Sequence, residues 1–360
     1  MNLSMLVAGC GAVTSVGLSA TQTCAALRAG VAGFESVMVL PPPALPVTVA
    51  RVPAAQRLKR TPAQWLCNLA ELALRDCLSG FSIHGRSVAV VLCVPDQHRR
   101  HPAFAGATGE QLLGALERRL QIRRHPLSRV LDDGHASALK GIALARQVLS
   151  SGEVDLCIVG GVDSQLNPDD VERLLAADRL HEARNPQGVI PGEGAVFLAL
   201  CREGSAHGTL PLAEIRGIGF AMERATILGE RFSTGVALRE ALEAAANDAH
   251  CNESTIAFRS SDANGERYRA WESMLCGTRF YRTPRQSLPN WIAATSVGDL
   301  GAAAGAMSIV AASIGISRGY APGPYAMCEA SSDNGLRAAC VLAPVAGAPV
   351  PPFRSKASPL

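Results

Sequence analysis

The sequence predicts an α/β fold of alternating helix and sheet layers, and three observations carry that reading. Apolar runs of strand length alternate with segments of helical spacing from one end of the chain to the other. The pattern starts again after Gly204, which divides the chain into two similar halves. With 360 residues, 48% hydrophobic and only 18% charged, the chain can bury a large core. The expected division is an N-terminal half over 1–208, a C-terminal half over 209–342 and a Pro-rich mobile tail over 343–360.

The elements follow in order. Residues 5–11 form an apolar run ending on glycine, as a buried strand does. A helix is expected over 21–29, and the Pro-rich stretch 40–64 is expected to be a surface loop. Helical spacing returns over 65–78, a second buried strand covers 87–94, and a helix over 109–120 ends in Arg118, Arg119, Arg123 and Arg124. That basic face suits either docking of an acidic carrier protein or a solvated helix surface. The segment Gly134-His135-Ala136-Ser137 leads into a helix over 138–150, and a strand over 155–159 is closed by Gly160 and Gly161. A helix over 168–177, the turn Gly192-Glu193-Gly194 and a strand over 195–200 complete the first half. In the second half, strands are expected over 213–220, 255–261 and 337–342, and helices over 236–250 and 301–314.

Composition excludes several function classes. High hydrophobicity and low charge exclude a disordered chain. A net charge of +3 and 4% aromatic residues argue against a nucleic-acid surface. No run of about 20 apolar residues exists to span a membrane. The eleven cysteines are scattered singly with no CxxC pair, so neither a disulfide scaffold nor a structural zinc site is expected, and a reducing cytoplasm is. The box Leu6 to Cys10 is similar to a lipoprotein cleavage site, yet it lacks a basic segment before it and an apolar stretch of sufficient length. No metal and no cofactor is expected.

Five blocks then occur in an informative order: Val7 to Gly17, Gly134 to Ser137 with its helix, Asp155 to Ser164, Val189 to Ala195 (VIPGEGA), and Val297 to Ala306 (VGDLGAAAGA). Together they resemble the β-ketoacyl synthases, condensing enzymes of the thiolase-like superfamily, over roughly residues 5–342. The resemblance implies a thiolase-like fold, two similar mixed-sheet βα halves in a layered α-β-α-β-α arrangement. The chain beyond residue 208 is shorter than the family's usual C-terminal half.

The resemblance also implies a site of one cysteine at a helix N-terminus and two histidines. Here the cysteine position is His135, the first histidine position is Asn264, and the second is Asp299, while the usual lysine before it is Ala294. All eight histidines lie at or before His250, so the last 110 residues contain none, whatever the register. Ordinary condensation is therefore not expected, and no catalytic residue is assigned. His135, Asn264 and Asp299 are expected either as a buried hydrogen-bonded cluster or as a rebuilt centre with His135 as base. Ser137, Cys276 and Cys328 are weaker nucleophile candidates. Gly160, Gly161, Gly192, Glu193 and Gly194 are expected as structural turns.

Catalytically degenerate relatives such as chain-length factors imply a non-condensing partner subunit or adaptor in fatty-acid or polyketide-type metabolism. It would form a homodimer, or a heterodimer with an active ketosynthase, and could meet an acyl carrier protein. One alternative is an accessory protein of a bacterial secretion locus with a secretion-system component as partner. The other is an acyltransferase or thioester hydrolase with the rebuilt centre.

Overall fold

The computed structural model describes residues 4–53, 60–80, 83, 85–99, 101–104, 108–205 and 210–347. The first half contains β1 (Met5–Val13), α1 (Ala20–Ala29), β2 (Phe34–Val37), β3 (Val47–Ala50), α2 (Pro62–Cys77) and β4 (Val88–Cys93). It continues with α3 (Gly109–Arg119), β5 (Arg129–Leu131), α4 (Ser137–Ser151), β6 (Leu156–Ser164), α5 (Pro168–Ala176) and β7 (Glu193–Arg202). The second half contains β8 (Ala213–Met222), α6 (Val236–Asp248), β9 (Ile256–Ser261), α7 (Arg267–Phe280) and β10 (Asn290–Ile292). It ends with α8 (Ala294–Val297), α9 (Ala304–Ser317), β11 (Tyr325–Ser331) and β12 (Leu336–Ala343).

The strands lie in the order β10-β9-β11-β12-β8-β1-β7-β6-β4-β5. Counted by chain position, each half places its strands third, second, fourth, fifth, first. In each the fifth, β7 or β12, runs antiparallel to its neighbours. The repetition predicted from the sequence is therefore a repeated topology. The halves join where Met5, Leu6 and Val7 of β1 pair with Ile215, Glu214 and Ala213 of β8. On its other edge β1 pairs with β7 along its whole length, from Met5 opposite Arg202 to Val13 opposite Ala195.

Side-chain alternation along the strands builds the layers. In β4, Val88, Val90 and Leu92 pack with α2 and α3, while Ala89, Val91 and Cys93 face the shared core. In β12, Ala339 and Val341 pack with α6, while Ala338, Cys340 and Leu342 face that same core. Between the two halves of this continuous sheet lie α4 and α9, and Gly305–Ile316 of α9 is buried at every position. A helix that is apolar all round belongs in such a central layer. The arrangement is α-β-α-β-α.

Several local expectations change. The Pro-rich stretch is more than a surface loop: β3 lies within it, pairs with β2, and buries Val47, Val49 and Ala50. The helix expected to reach residue 120 ends at Arg119, so Arg123 and Arg124 lie in the connection beyond it. Gly160 and Gly161 are not a turn but lie inside β6. A Cβ at Gly160 would stand 2.1 Å from the Val196 carbonyl oxygen, and one at Gly161 would stand 2.3 Å from that of Ala302. Both are needed for close approach of neighbouring backbone. Glu193 and Gly194 likewise open β7, with Gly192 just before it. Positions 348–360 of the expected tail and the boundary at 208/209 fall outside the described residues.

Candidate functional site

The repeated topology places two equivalent turns face to face. In the first half a 3-10 turn, Gly134–Ala136, enters α4; in the second, Gly301–Ala303 enters α9. Each starts on a glycine in the left-handed region, with φ of +74° at Gly134 and +51° at Gly301. His135 occupies the middle of the first turn, and Asp299 sits just before the second.

The structure brings His135, Asn264 and Asp299 together. His135 Nε2 lies 2.7 Å from Asp299 Oδ1, which also accepts the Gly301 N–H at 2.8 Å. Asn264 Nδ2 donates to Asp299 Oδ2 at 2.7 Å and to Glu266 Oε2 at 3.0 Å. All four side chains are buried. Burial opposes the charged forms of His135 and Asp299, but each stabilises the other's charge more. His135 is held above the usual histidine range, and Asp299 is held well below the usual carboxylate range, aided by Arg269 and Asn264. Each member of the pair therefore favours the charged form of the other. His135 Nδ1 has no hydrogen-bond partner among the described residues.

A second ring of charge surrounds this cluster. Arg179 binds Glu266 at 2.6 Å and Asp333 at 2.8 Å, and Arg269 binds Asp262 at 2.9 Å and Asp333 at 3.1 Å. The hairpin between β11 and β12 supplies Asp333 and also Ser332, whose Oγ accepts the Ala136 N–H at 2.9 Å. Asp96, after β4, is buried beside Gly134 with no partner for Oδ2 among the described residues, and burial raises its carboxyl above the usual range. Arg179, Arg269 and Asp96 carry no sequence signal of such a role. Arg179 and Glu266 also line a cleft of about 520 Å³ whose walls include Leu228, Arg231, Phe232 and Arg267. The polar cluster thus lies beside a surface opening.

The remaining nucleophile candidates are sealed from solvent. Ser137 is fully buried at the start of α4. Cys276 lies within α7 and Cys328 within β11, and burial pushes both thiols up, away from the reactive thiolate. Glu193 is buried and accepts from Trp65 Nε1 at 2.9 Å, Ser164 Oγ at 2.9 Å and the Val52 N–H at 3.0 Å. Ala294 opens α8.

The fold is the thiolase-like fold of the ketosynthases. The family pattern of the β-ketoacyl synthase N-terminal domain matches residues 127–206, the span from β5 through β7 that holds the His135 turn. Among solved structures, the ishigamide ketosynthase/chain length factor is similar with a TM-score of 0.80 at 17% identity, covering 96% of this chain and 100% of that one. A type II polyketide acyl-carrier protein in complex with its ketosynthase bound to the hexaketide gives 0.81 at 16%, covering 96% and 100%. The ketosynthase from module 6 of the bacillaene synthase of Bacillus subtilis 168 gives 0.79 at 14%, covering 95% and 72%. At these identities the likeness shows the fold. No curated protein matches the sequence. The chain shares the fold of these ketosynthase structures, and among its described residues no helix is long and apolar enough to cross a membrane.

Proposed function

We propose that this chain is a non-condensing, chain-length-factor-like subunit that pairs with an active ketosynthase in acyl-chain or polyketide assembly. The observation that carries this reading is the His135–Asp299 pair. At the position that the resemblance assigns to the nucleophilic thiol stands an imidazole with Nε2 bound to a carboxylate. Condensation needs a thiolate to take the acyl group and two imidazoles to assist decarboxylation and hold the thioester oxygen. Neither Asn264 nor Asp299 can supply an imidazole, and a carboxylate beside a developing oxyanion opposes it.

The paired subunit is the partner best suited to such a chain, because isolated site loss is tolerated where a second chain supplies the chemistry. Two similar solved structures are described as a ketosynthase/chain length factor and as a ketosynthase complex with its acyl-carrier protein. Their descriptions support the same two partners here: an active ketosynthase and an acyl carrier protein. The two-half division at 208/209 and a cytoplasmic location belong to this reading.

Intact-mass spectrometry after incubation with acyl-carrier and acyl-coenzyme A thioesters tests it. The expected result is no stoichiometric adduct and hydrolysis no faster than buffer. A mapped acyl adduct, or turnover that His135→Ala abolishes, would overturn the proposal and make the rebuilt centre an acyltransferase or hydrolase.

A further inference from the structure

Remote from that cluster, the first half carries a larger cleft, of about 890 Å³. It lies between the turn before β4, closed by the Arg86 N–H to the Ile83 carbonyl, and the connection that follows α3. Among the described residues that line it are Arg86, Arg123, Arg124 and His125, and no Asp or Glu. The other cleft, beside the polar cluster, sets Asp178, Glu230 and Glu266 among its arginines.

Ion pairing accounts for part of this basic stretch and leaves the rest. Arg119 binds Glu71 at 2.9 Å, and Arg124 is held by Glu110 and Glu117. Arg86 and Arg123 have no ion pair among the described residues. The Nη1 of Arg86 is closed off from solvent, with no hydrogen-bond partner among the described residues, and the rest of its half-buried side chain lines the cleft. His125 Nδ1 accepts the Leu127 N–H at 3.2 Å, so the neutral ring carries its proton on Nε2 and offers one more donor.

We infer that this cleft binds a small phosphorylated molecule, with a phosphate or diphosphate group taken by Arg86 and Arg123. Guanidinium groups suit phosphate oxygens through paired, charge-assisted hydrogen bonds. The volume exceeds what a bare ion needs and falls in the range of roughly 300–1,000 Å³ usual for small-molecule sites. Ile83, Leu120, Ile122 and Pro126 provide an apolar wall for the rest of the ligand. The inference is independent of the partner-subunit reading, since no residue is shared with the His135 cluster.

Calorimetric titration of the full chain with inorganic pyrophosphate and with ADP, at low ionic strength, tests it. Both probes are expected to bind, ADP no more weakly than pyrophosphate. The Arg86→Gln/Arg123→Gln double variant should weaken both by about tenfold or more, the scale of losing charge-assisted hydrogen bonds. Arg231→Gln, in the other cleft, should leave binding unchanged. Both arginines reach the surface, so an unchanged melting temperature in the double variant separates lost binding from lost folding. Absence of binding by the parent chain, or binding that survives the double substitution, would overturn the inference.

Discussion

His135 Nε2 and Asp299 Oδ1, 2.7 Å apart and 164 positions apart in the chain, tie the turn that begins α4 to the turn that begins α9. Those turns are equivalent in the two halves, so the bond closes the molecule across its internal repeat. Where a reactive site would need a thiolate open to substrate, this pair is buried and bound to its surroundings.

The pair is asymmetric in what depends on it, and the two truncations should differ. Asp299 also satisfies Asn264 and the Gly301 N–H, so Asp299→Ala strands His135 and the Gly301 N–H together and leaves Asn264 Nδ2 with Glu266 alone. Its expected cost is about 3–5 kcal/mol, as for breaking a buried pair from one side. His135→Ala leaves Asp299 with Asn264, Gly301 and the nearby Arg269, and should cost less. Urea denaturation of the two variants checks the order; equal losses would mean that the His135 contact carries the whole effect.

The same pair sets a pH dependence. His135 binds its proton more tightly folded than unfolded, so its contribution is complete below the ordinary histidine pKa of about 6.5. It is lost as pH rises from there through the raised folded value. Asp299 acts in the opposite sense: its contribution is present above about pH 4 and fades as acid approaches its depressed folded value. Unfolding free energies measured from pH 6 upward should fall in the parent chain, and His135→Gln should flatten that fall. A parallel slope in both proteins would place the titrating group elsewhere.

Glu193 anchors three donors from separate segments: Trp65 in α2, Ser164 at the end of β6 and the Val52 backbone. Glu193→Ala removes every acceptor at once and is expected to cost at least about 2–3 kcal/mol, more than one lost hydrogen bond. Glu193→Gln keeps one carbonyl oxygen and should cost less. Neither variant should change ligand binding at Arg86 and Arg123. Thermal denaturation compared with the titration described above separates these outcomes.

How far the sequence reveals this molecule depends on the signal each element leaves. Strands β4 and β6 are legible because both faces are buried, which makes them unbroken apolar runs. Strands β5 and β10 are three residues each and too short to show a period. Gly160 and Gly161 read as punctuation, although in a buried strand glycine marks a neighbour pressed against the backbone. The meeting of His135, Asn264 and Asp299 is legible only through the resemblance, because nothing local links positions so far apart. Arg179 and Arg269 are read from sequence as ordinary charged residues. Their burial follows from partners brought by other elements, and such partners leave no trace in the residues next to them.

Two glycine substitutions turn the close-approach argument into a measurement. Gly160 has ordinary strand backbone, yet an added Cβ would lie 2.1 Å from the Val196 carbonyl and 2.5 Å from the Phe197 ring. Backbone cannot yield there without parting β6 from β7, so Gly160→Ala should reduce the soluble folded yield or lower the melting temperature sharply. Gly277, in α7, has nothing within 4 Å of an added Cβ and no left-handed φ. Alanine there removes unfolded-state freedom and supports the helix, so Gly277→Ala should stabilise by about 0.4–1 kcal/mol. A neutral Gly160→Ala would mean that β6 and β7 stand farther apart in solution than the Val196 contact requires.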